Sequence, residues 1–206
     1  MDLREQLVLI KRVKALADTG LVYSEDDFNR ERYNELREIS LELLSLISDV
    51  PLQSWQEFLM PVKEYPTPKV DVRGFVLNKK NQILMARESA DGNWAIPGGW
   101  ADIGFTPTEM VVREIEEETG LTTAVERLLA IYDKKCHPHP PQPFYVYKLV
   151  FLCRIENGNI QHGFDMEGAA FFDVDSLPMI SSDRILESQI EQLYKLAKED
   201  HPVYFD

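Results

Sequence analysis

Three glutamates, Glu114, Glu117 and Glu118, stand at spacings i, i+3 and i+4. In a helix they share one face, while Val112, Ile115 and Thr119 share another. Like charges at those spacings oppose an isolated helix by roughly 0.2–0.5 kcal/mol per pair, and carboxylates in a last turn also oppose the helix dipole. Positions where a sequence works against its own local preferences tend to be functional. A divalent cation would turn this repulsion into ligation, and a set of hard oxygen donors favours Mg²⁺ or Mn²⁺ over zinc. Just upstream, Pro97-Gly98-Gly99-Trp100 supplies glycines that let backbone approach a ligand closely and leave a carbonyl available to a metal.

The element that must present the glutamates has well-specified ends. Thr106 and Glu109 form a T-x-x-E capping box, Pro107 takes the first helical position, and Gly120 supplies the stop. Phe105 and Met110 occupy the two positions of a hydrophobic staple. Around this helix, residues 70–77, 83–87, 124–132, 144–155 and 170–174 read as strands, and 182–198 as a closing helix with Ile185, Leu186, Ile190, Leu193 and Ala197 on its apolar side. Strands mixed with two helices imply an α/β layered sandwich with a mixed sheet. The region before Pro66-Thr67-Pro68 is different. Leu3, Leu7, Ile10, Val13 and Ala17 imply a helix over 2–19 that stops near Gly20. Ser24 with Asp27 resembles the cap of a second, longer helix, whose stripe is Leu36, Ile39, Leu43, Leu46, Ile47 and Val50, and a short piece surrounds Trp55. The expected division is a small helical domain over 1–65 and a catalytic domain over 66–206. Two such helices cannot bury both faces alone. They pack either on the following domain or on a second copy, and a homodimer is the expectation carried forward.

Composition narrows the partners. A net charge of −13 opposes phosphate-led binding to long nucleic acid, which needs clustered Lys and Arg. A small anionic substrate is compatible if cations reverse the local field. No apolar run approaches the roughly 20 residues of a membrane span. Two cysteines, Cys136 and Cys153, are too few for a disulfide framework, so a reducing, cytoplasmic setting is expected and both thiols read as partly buried.

Residues 99–121, GWADIGFTPTEMVVREIEEETGL, resemble the 23-residue box of the Nudix hydrolases, G-x5-E-x7-R-E-U-x-E-E-x-G-U with U aliphatic. Every fixed position matches except the first glutamate, which falls on Phe105. The resemblance implies a small α/β/α sandwich over roughly 66–206, and metal-dependent cleavage of a diphosphate. It further implies Glu114 and Glu118 as principal metal ligands, with Glu117 and the Gly98 carbonyl as further ones. Arg113 would orient Glu114 through an ion pair. The general base in this family lies in the box or on a later loop, and Glu167 is the loop candidate, with Asp165 second. The whole chain, helical part included, resembles a subgroup containing CDP-choline and ADP-ribose pyrophosphatases, with CDP-choline the expected substrate. Nucleoside triphosphates, RNA ends and a non-catalytic nucleotide sensor are the other readings.

Aromatic side chains can stack a nucleobase or face a quaternary ammonium. Trp94, Trp100, Tyr132 and Tyr145 are the substrate-binding candidates, with Phe144 and Tyr147 also available. His137-Pro138-His139-Pro140-Pro141 falls short of a zinc site and is expected to be a stiff loop at the mouth of the active site.

Overall fold

The computed structural model describes residues 3–48, 50–59, 65–199 and 201–206. They divide into two compact units, Met1–Pro68 with Pro141–Tyr145, and Lys69–Pro140 with Val146–Asp206.

The first unit holds α1 (Leu3–Tyr23), α2 (Asp27–Ile47) and α3 (Leu52–Phe58). Helix α1 runs past Gly20, where it was expected to stop. A Cβ there would stand 2.5 Å from the Tyr33 ring, so the glycine permits close approach of α1 and α2 and does not terminate a helix. The α2 cap is Asp26, whose carboxylate accepts the Asn29 N–H at 3.0 Å, instead of the Ser24 and Asp27 pair. Its buried face is also not the expected one. Arg37, Ser40, Leu41 and Leu44 face inward and pack with Ile10 and Leu59, while Leu36, Ile39, Leu43 and Leu46 remain exposed. The reason is electrostatic: Arg37 sits 3.4 Å from the buried Asp18 and donates to the Leu59 carbonyl at 2.5 Å, so a charged residue belongs to the core stripe and masks it. Residues 141–145 complete this unit. Lys11 donates to the carbonyls of Gln142 and Phe144 at 3.1 and 2.8 Å, and the Tyr145 hydroxyl donates to the Val8 carbonyl at 3.2 Å.

The second unit contains β1 (Lys69–Val76), β2 (Ile83–Glu88), β3 (Trp94–Ala95), β4 (Gly98–Trp100), α4 (Pro107–Thr119), β5 (Leu121–Asp133), β6 (Val146–Gly158), β7 (Met166–Phe172), α5 (Glu187–Lys198) and β8 (Tyr204–Phe205). One sheet has the order β4-β1-β6-β5-β8 and is mixed, with β1–β6 and β5–β8 parallel and its other pairs antiparallel. A second, antiparallel sheet has the order β3-β2-β7. Met110, Val111 and Ile115 of α4 cover one face, against Val72, Val76, Leu84 and Phe151. Ile190 and Leu193 of α5 cover the other, against Phe75, Ile83, Met85, Ala130, Tyr132 and Val150. This is the expected α/β/α layering with a mixed sheet. Several elements differ from expectation: β7 starts at Met166 instead of residue 170, β6 at Val146 instead of 144, and β3 and β8 are additional strands. The glycine-rich stretch is partly strand, because Gly98–Trp100 pairs antiparallel with Asp71–Arg73. The closing helix starts only at Glu187, where the Gln189 side chain accepts the Leu186 N–H at 3.1 Å. Ile185 owes its apolar character to core burial ahead of that helix. No helix among the described residues is long and apolar enough to cross a membrane.

Helix α4 rests on β1 through a gap at Gly74, where a Cβ would meet Ile115 Cδ1 at 2.4 Å and Cγ1 at 2.8 Å. Gly74→Ala is therefore expected to destabilise the unit by about 1–3 kcal/mol through overpacking. Ile115→Val, which removes the nearest atom, should recover part of that loss in the double variant. Denaturant unfolding of the three variants checks this, and strictly additive effects would argue against the contact.

Candidate active site

Both ends of α4 are fixed locally. Thr106 Oγ1 accepts the Glu109 N–H at 3.3 Å while Glu109 Oε2 accepts the Thr106 N–H at 2.8 Å, closing the capping box. At the other end Gly120 is left-handed, with φ +71°, and its N–H reaches the Glu116 carbonyl at 2.8 Å. A helix held this firmly aims its side chains reproducibly.

Two of the three glutamates meet the glycine pair. Glu118 Oε2 accepts the Gly98 N–H at 3.0 Å. Gly98 has φ +140°, and a Cβ on it would lie 2.1 Å from the Val72 carbonyl oxygen, so the position admits only glycine. A Cβ on Gly99 would stand 2.8 Å from Glu114 Oε1, which places the Glu114 carboxylate directly against that backbone. Glu117 is drawn elsewhere: its Oε1 lies 2.6 Å from Arg113 Nε, and both side chains are half-exposed. The expected Arg113–Glu114 pair is thus replaced by Arg113–Glu117. Adjacent residues on a helix diverge by about 100°, whereas i and i+4 lie one above the other. The Arg113 guanidinium also lies 5.1 Å from the centre of the ring of Phe105, the residue standing in place of the box's first glutamate.

Behind the pair stands Arg73, a residue that the sequence reading passed over. Buried on β1, it donates from Nε and Nη2 to the two Asp71 oxygens at 2.8 and 3.2 Å, and from Nη1 to the Ile96 carbonyl at 3.2 Å. Lys148 on β6 donates to the same Asp71 carboxylate at 2.8 Å. Burial works against the Asp71 charge, but Arg73 and Lys148 outweigh it and hold the carboxyl below its ordinary range. Burial pushes Glu118 up to about 8 despite the pull of Arg73 and the Gly98 N–H, with Glu88 and Glu114 adding repulsion. Burial likewise raises Glu114 to about 7 against the pull of Arg73, aided by the charges of Glu117, Asp102 and Asp165. Glu88, raised by burial, is bound to Arg184 at 2.5 Å.

The remaining candidates are scattered. Glu167 Oε2 lies 3.4 Å from Arg87 Nε, with both side chains half-exposed. Asp165, whose carbonyl accepts the Ser89 hydroxyl, is the loop carboxylate whose charge reaches Glu114 and Glu88. Trp94 meets Phe172 edge-on at 4.7 Å and is bonded through its backbone to Met179 and Ser181. Trp100 is exposed at the end of β4 with the Lys69 ammonium 5.3 Å from its ring. Tyr132 is corrected from a stacking surface to a core residue: it is wholly buried against His137 and Tyr204, with its hydroxyl donating to Gln192 at 2.9 Å. Tyr145 belongs to the helical unit, where the Lys11 ammonium lies 4.6 Å from its ring. The His-Pro stretch is tied down at both histidines. His137 pairs with Asp206 at 2.9 Å, and His139 is buried with Nδ1 2.7 Å from the Ser182 carbonyl. Of the thiols, Cys153 is buried and Cys136 exposed.

Among the described residues no three His, Cys, Asp or Glu groups stand together as a metal cage. The residues present nonetheless suit a divalent cation. Glu118 is buried and Glu114 partly so, burial and neighbouring charge resist the ionisation of both, and glycine backbone is packed beside each. A divalent cation would add to the pull of Arg73 and favour both ionised groups there.

A glutamate-lined helix facing a glycine strand on an α/β/α sandwich defines a carboxylate-based hydrolytic centre. Residues 67–194 match the NUDIX domain, and residues 5–59 match a domain described as a UDP-X-like, N-terminal oligomerisation domain. The chain belongs to the Nudix family and is a Nudix hydrolase, a class that generally uses divalent metal. It is 42% identical over 93% of its length, and 91% of the relative's, to the Bacillus subtilis (strain 168) protein YjhB, whose name assigns it provisionally to the ADP-ribose pyrophosphatases. A crystal structure of a UDP-X diphosphatase shares 36% identity over 100% of both chains, with a TM-score of 0.65. An ADP-ribose pyrophosphatase from Streptococcus suis 89-1591 shares 33% identity over 68% of this chain and 100% of its own, with a TM-score of 0.61.

Carboxyls raised to about 7 and about 8 must shed protons to ligate metal. Mg²⁺ affinity is therefore expected to rise steeply as pH increases from 6 to 8.5, and titration calorimetry near pH 7 should detect release of roughly one proton. The sign for folding is opposite. Between the ordinary carboxyl value of 4.5 and about 8 the folded state holds protons that the unfolded chain has lost, so metal-free stability falls across that window. An affinity that stays flat with pH would contradict this account.

Proposed function

We propose that the protein hydrolyses the diphosphate bridge of a nucleoside diphosphate joined to a second group, releasing a nucleoside monophosphate and the phosphorylated partner. The observation that carries this reading is the packing of Glu114 and Glu118 against Gly98 and Gly99, with the buried Arg73 behind them. Mg²⁺, with Mn²⁺ second, is the metal we assign; Glu114, Glu118 and the Gly98 carbonyl would hold it, with Glu117 as a further ligand. Bound there, it would neutralise phosphoryl charge and polarise the bridge.

The protein's own residues supply the rest. Arg73 offsets the anionic charge that gathers as both glutamates ionise. Arg113 steers Glu117 through their ion pair. Glu167, steadied by Arg87, is the carboxylate we assign to accept a proton from the attacking water, and Asp165 is its alternative. Trp100, exposed at the end of β4, and Trp94 are the aromatic surfaces we assign to substrate in the catalytic unit. For the substrate, names among the relatives favour ADP-ribose and UDP-linked compounds, and none of these supports CDP-choline. A nucleotide-sensing role without turnover is disfavoured because the central glutamates are kept.

We also propose a homodimer through the helical unit. The second apolar stripe of α2, with Leu36, Ile39 and Leu43 partly open and Leu46 80% exposed, stands uncovered, and residues 5–59 match the oligomerisation domain.

The test is incubation with Mg²⁺ in ¹⁸O-water with UDP-sugars, ADP-ribose, CDP-choline, nucleoside triphosphates and short RNA, with products identified by mass spectrometry. Turnover of diphosphate-linked substrates is expected, and activity confined to triphosphates or RNA would overturn the reading. Glu118→Gln should lower kcat by about 10²-fold or more, the scale of losing one transition-state stabiliser. Glu167→Gln should lower it by about 10²–10⁴-fold if that residue takes the proton.

A further inference from the structure

The loop between β6 and β7, residues 159–165, closes on the end of α4. The last carbonyls of a helix have no partner within it. In α4 two of them are taken by this loop: the Gln161 N–H donates to the Thr119 carbonyl at 3.0 Å and the Gly163 N–H to the Glu118 carbonyl at 3.4 Å. At Gly163 the two backbones approach more closely than a side chain would allow. A Cβ there would stand 2.3 Å from the Glu117 carbonyl oxygen and 3.3 Å from its carbon. Helix backbone cannot swing aside as the end of a side chain can. To reach an ordinary C···O contact the loop itself would have to retreat by about 1 Å.

Neither conformation nor packing accounts for this glycine. Gly120 and Gly158, on the same seam, have φ of +71° and +102°, where a side chain is strained, whereas Gly163 lies outside that region. Its neighbours Gln161, His162, Phe164 and Asp165 are exposed, so the close approach buries no apolar side chain of theirs. What it does fix is a pair of carboxylates. The Gly163 carbonyl accepts the Met166 N–H at 3.3 Å, closing a tight turn with Phe164 and Asp165 at its centre. Asp165 Oδ1 lies 3.4 Å from where the Gly163 Cβ would be, which sets a negative group beside the last turn of α4, against the helix dipole. Glu167 is the extra residue of a β-bulge, because β2 pairs Arg87 with Gly168 and Glu88 with Met166. Bulges beside active sites re-aim a side chain. The other edge of the loop is tied to the end of β2: the Ser89 hydroxyl donates to the Asp165 carbonyl, and Arg87 Nε lies 3.4 Å from Glu167 Oε2.

We propose that Gly163 is a positioning residue of the hydrolytic reaction. Having no side chain, it seats the β6–β7 loop directly on the last turn of α4, and so fixes Asp165 and Glu167 relative to the helix that carries Glu114 and Glu118. The inference rests on the reading above for the role of those two carboxylates, one of which takes the proton of the attacking water, and on the contacts alone for the seating. A carboxylate displaced by about 1 Å loses the alignment that proton transfer needs, a loss on the order of 10²-fold. Glu114 and Glu118 stay in place when the loop retreats, since they pack against Gly99 and Gly98 of β4.

In the full chain, Gly163→Ala is expected to lower kcat on the best diphosphate-linked substrate of the panel above by about 10- to 100-fold. KM and the Mg²⁺ affinity read by calorimetry should stay near native. Hydrogen exchange should quicken at the amides of residues 161–166 while those of 107–119 remain protected. In a protein carrying both Asp165→Asn and Glu167→Gln the same substitution should cost little more, because the groups it misplaces are already gone. Full turnover by Gly163→Ala, or unchanged exchange in the loop, overturns the inference. So does a loss of Mg²⁺ affinity that matches the loss of kcat, or an equal fold-loss in the protein lacking both carboxylates, since either means that the glycine serves only the fold. If Gly163→Ala fails to fold, Ser89→Ala frees the same loop at its other edge and is judged by the same criteria. Full turnover by the Asp165→Asn, Glu167→Gln protein sinks the loop carboxylates as proton acceptors and this inference with them. A native protein that turns over nothing sinks the hydrolase reading, and the exchange comparison then decides alone whether Gly163 seats the loop.

Discussion

Glu118 is almost wholly buried, and the Gly98 N–H is its hydrogen-bond donor. An ionised carboxylate in such a place is costly unless charge and donors surround it. Arg73 supplies part of the compensation, and its burial in turn requires Asp71, which requires Lys148. This chain of dependence ties the helix to the middle strands of the mixed sheet. The long, covered β1 is what allows Asp71 and Arg73 to lie inside the protein, and Gly98 must be glycine because the Val72 carbonyl leaves no room for a Cβ. A divalent cation is the ligand class that would complete the compensation Arg73 begins for Glu114 and Glu118.

How much of this could be read from the residues depended on whether a signal was local. The α4 ends were legible because capping box, first-turn proline and left-handed glycine are all local chemistry, and each is present in the fold. The periodicity of Glu114 and Glu118 gave their shared face correctly. It could not show that Glu117 would turn to Arg113, since that choice depends on which neighbour lies one helical turn away. Strand β4 was hidden because glycines carry no β signal and its pairing partner lies some 27 residues earlier in the chain.

Arg73, Asp71 and Lys148 were missed for a different reason. Charged residues in strands are ordinarily read as solvent-facing, and here all three point inward on one face, in adjacent registers of β1 and β6. Their i, i+2 spacing in β1, inside an otherwise apolar run, was the available clue. The same error of sign occurred in α2, where Arg37 belongs to the buried stripe and the leucines thought to face inward are exposed. In both units, buried charge is the feature that a hydropathy pattern inverts.

The distribution of charge bears on function. The chain is strongly acidic overall, at −13, so an anionic ligand meets a repulsive exterior. Yet Arg73, Lys134 and Lys148 are all buried in the catalytic unit, where Arg184 is bonded to Glu88. Lysines deprived of water are expensive to keep, and burial together with Arg73 and Lys134 pulls Lys148 down to about 7 even though Asp71 is bonded to it. Packing alone would be served better by apolar side chains of similar volume. Lys148 is tied instead to the support of Arg73, since both donate to the Asp71 carboxylate and Arg73 in turn acts on Glu118 and Glu114. Acidity outside and basicity within then divide the work: long polyanions are repelled by the surface, while the buried Arg73 offsets the charge of Glu114 and Glu118.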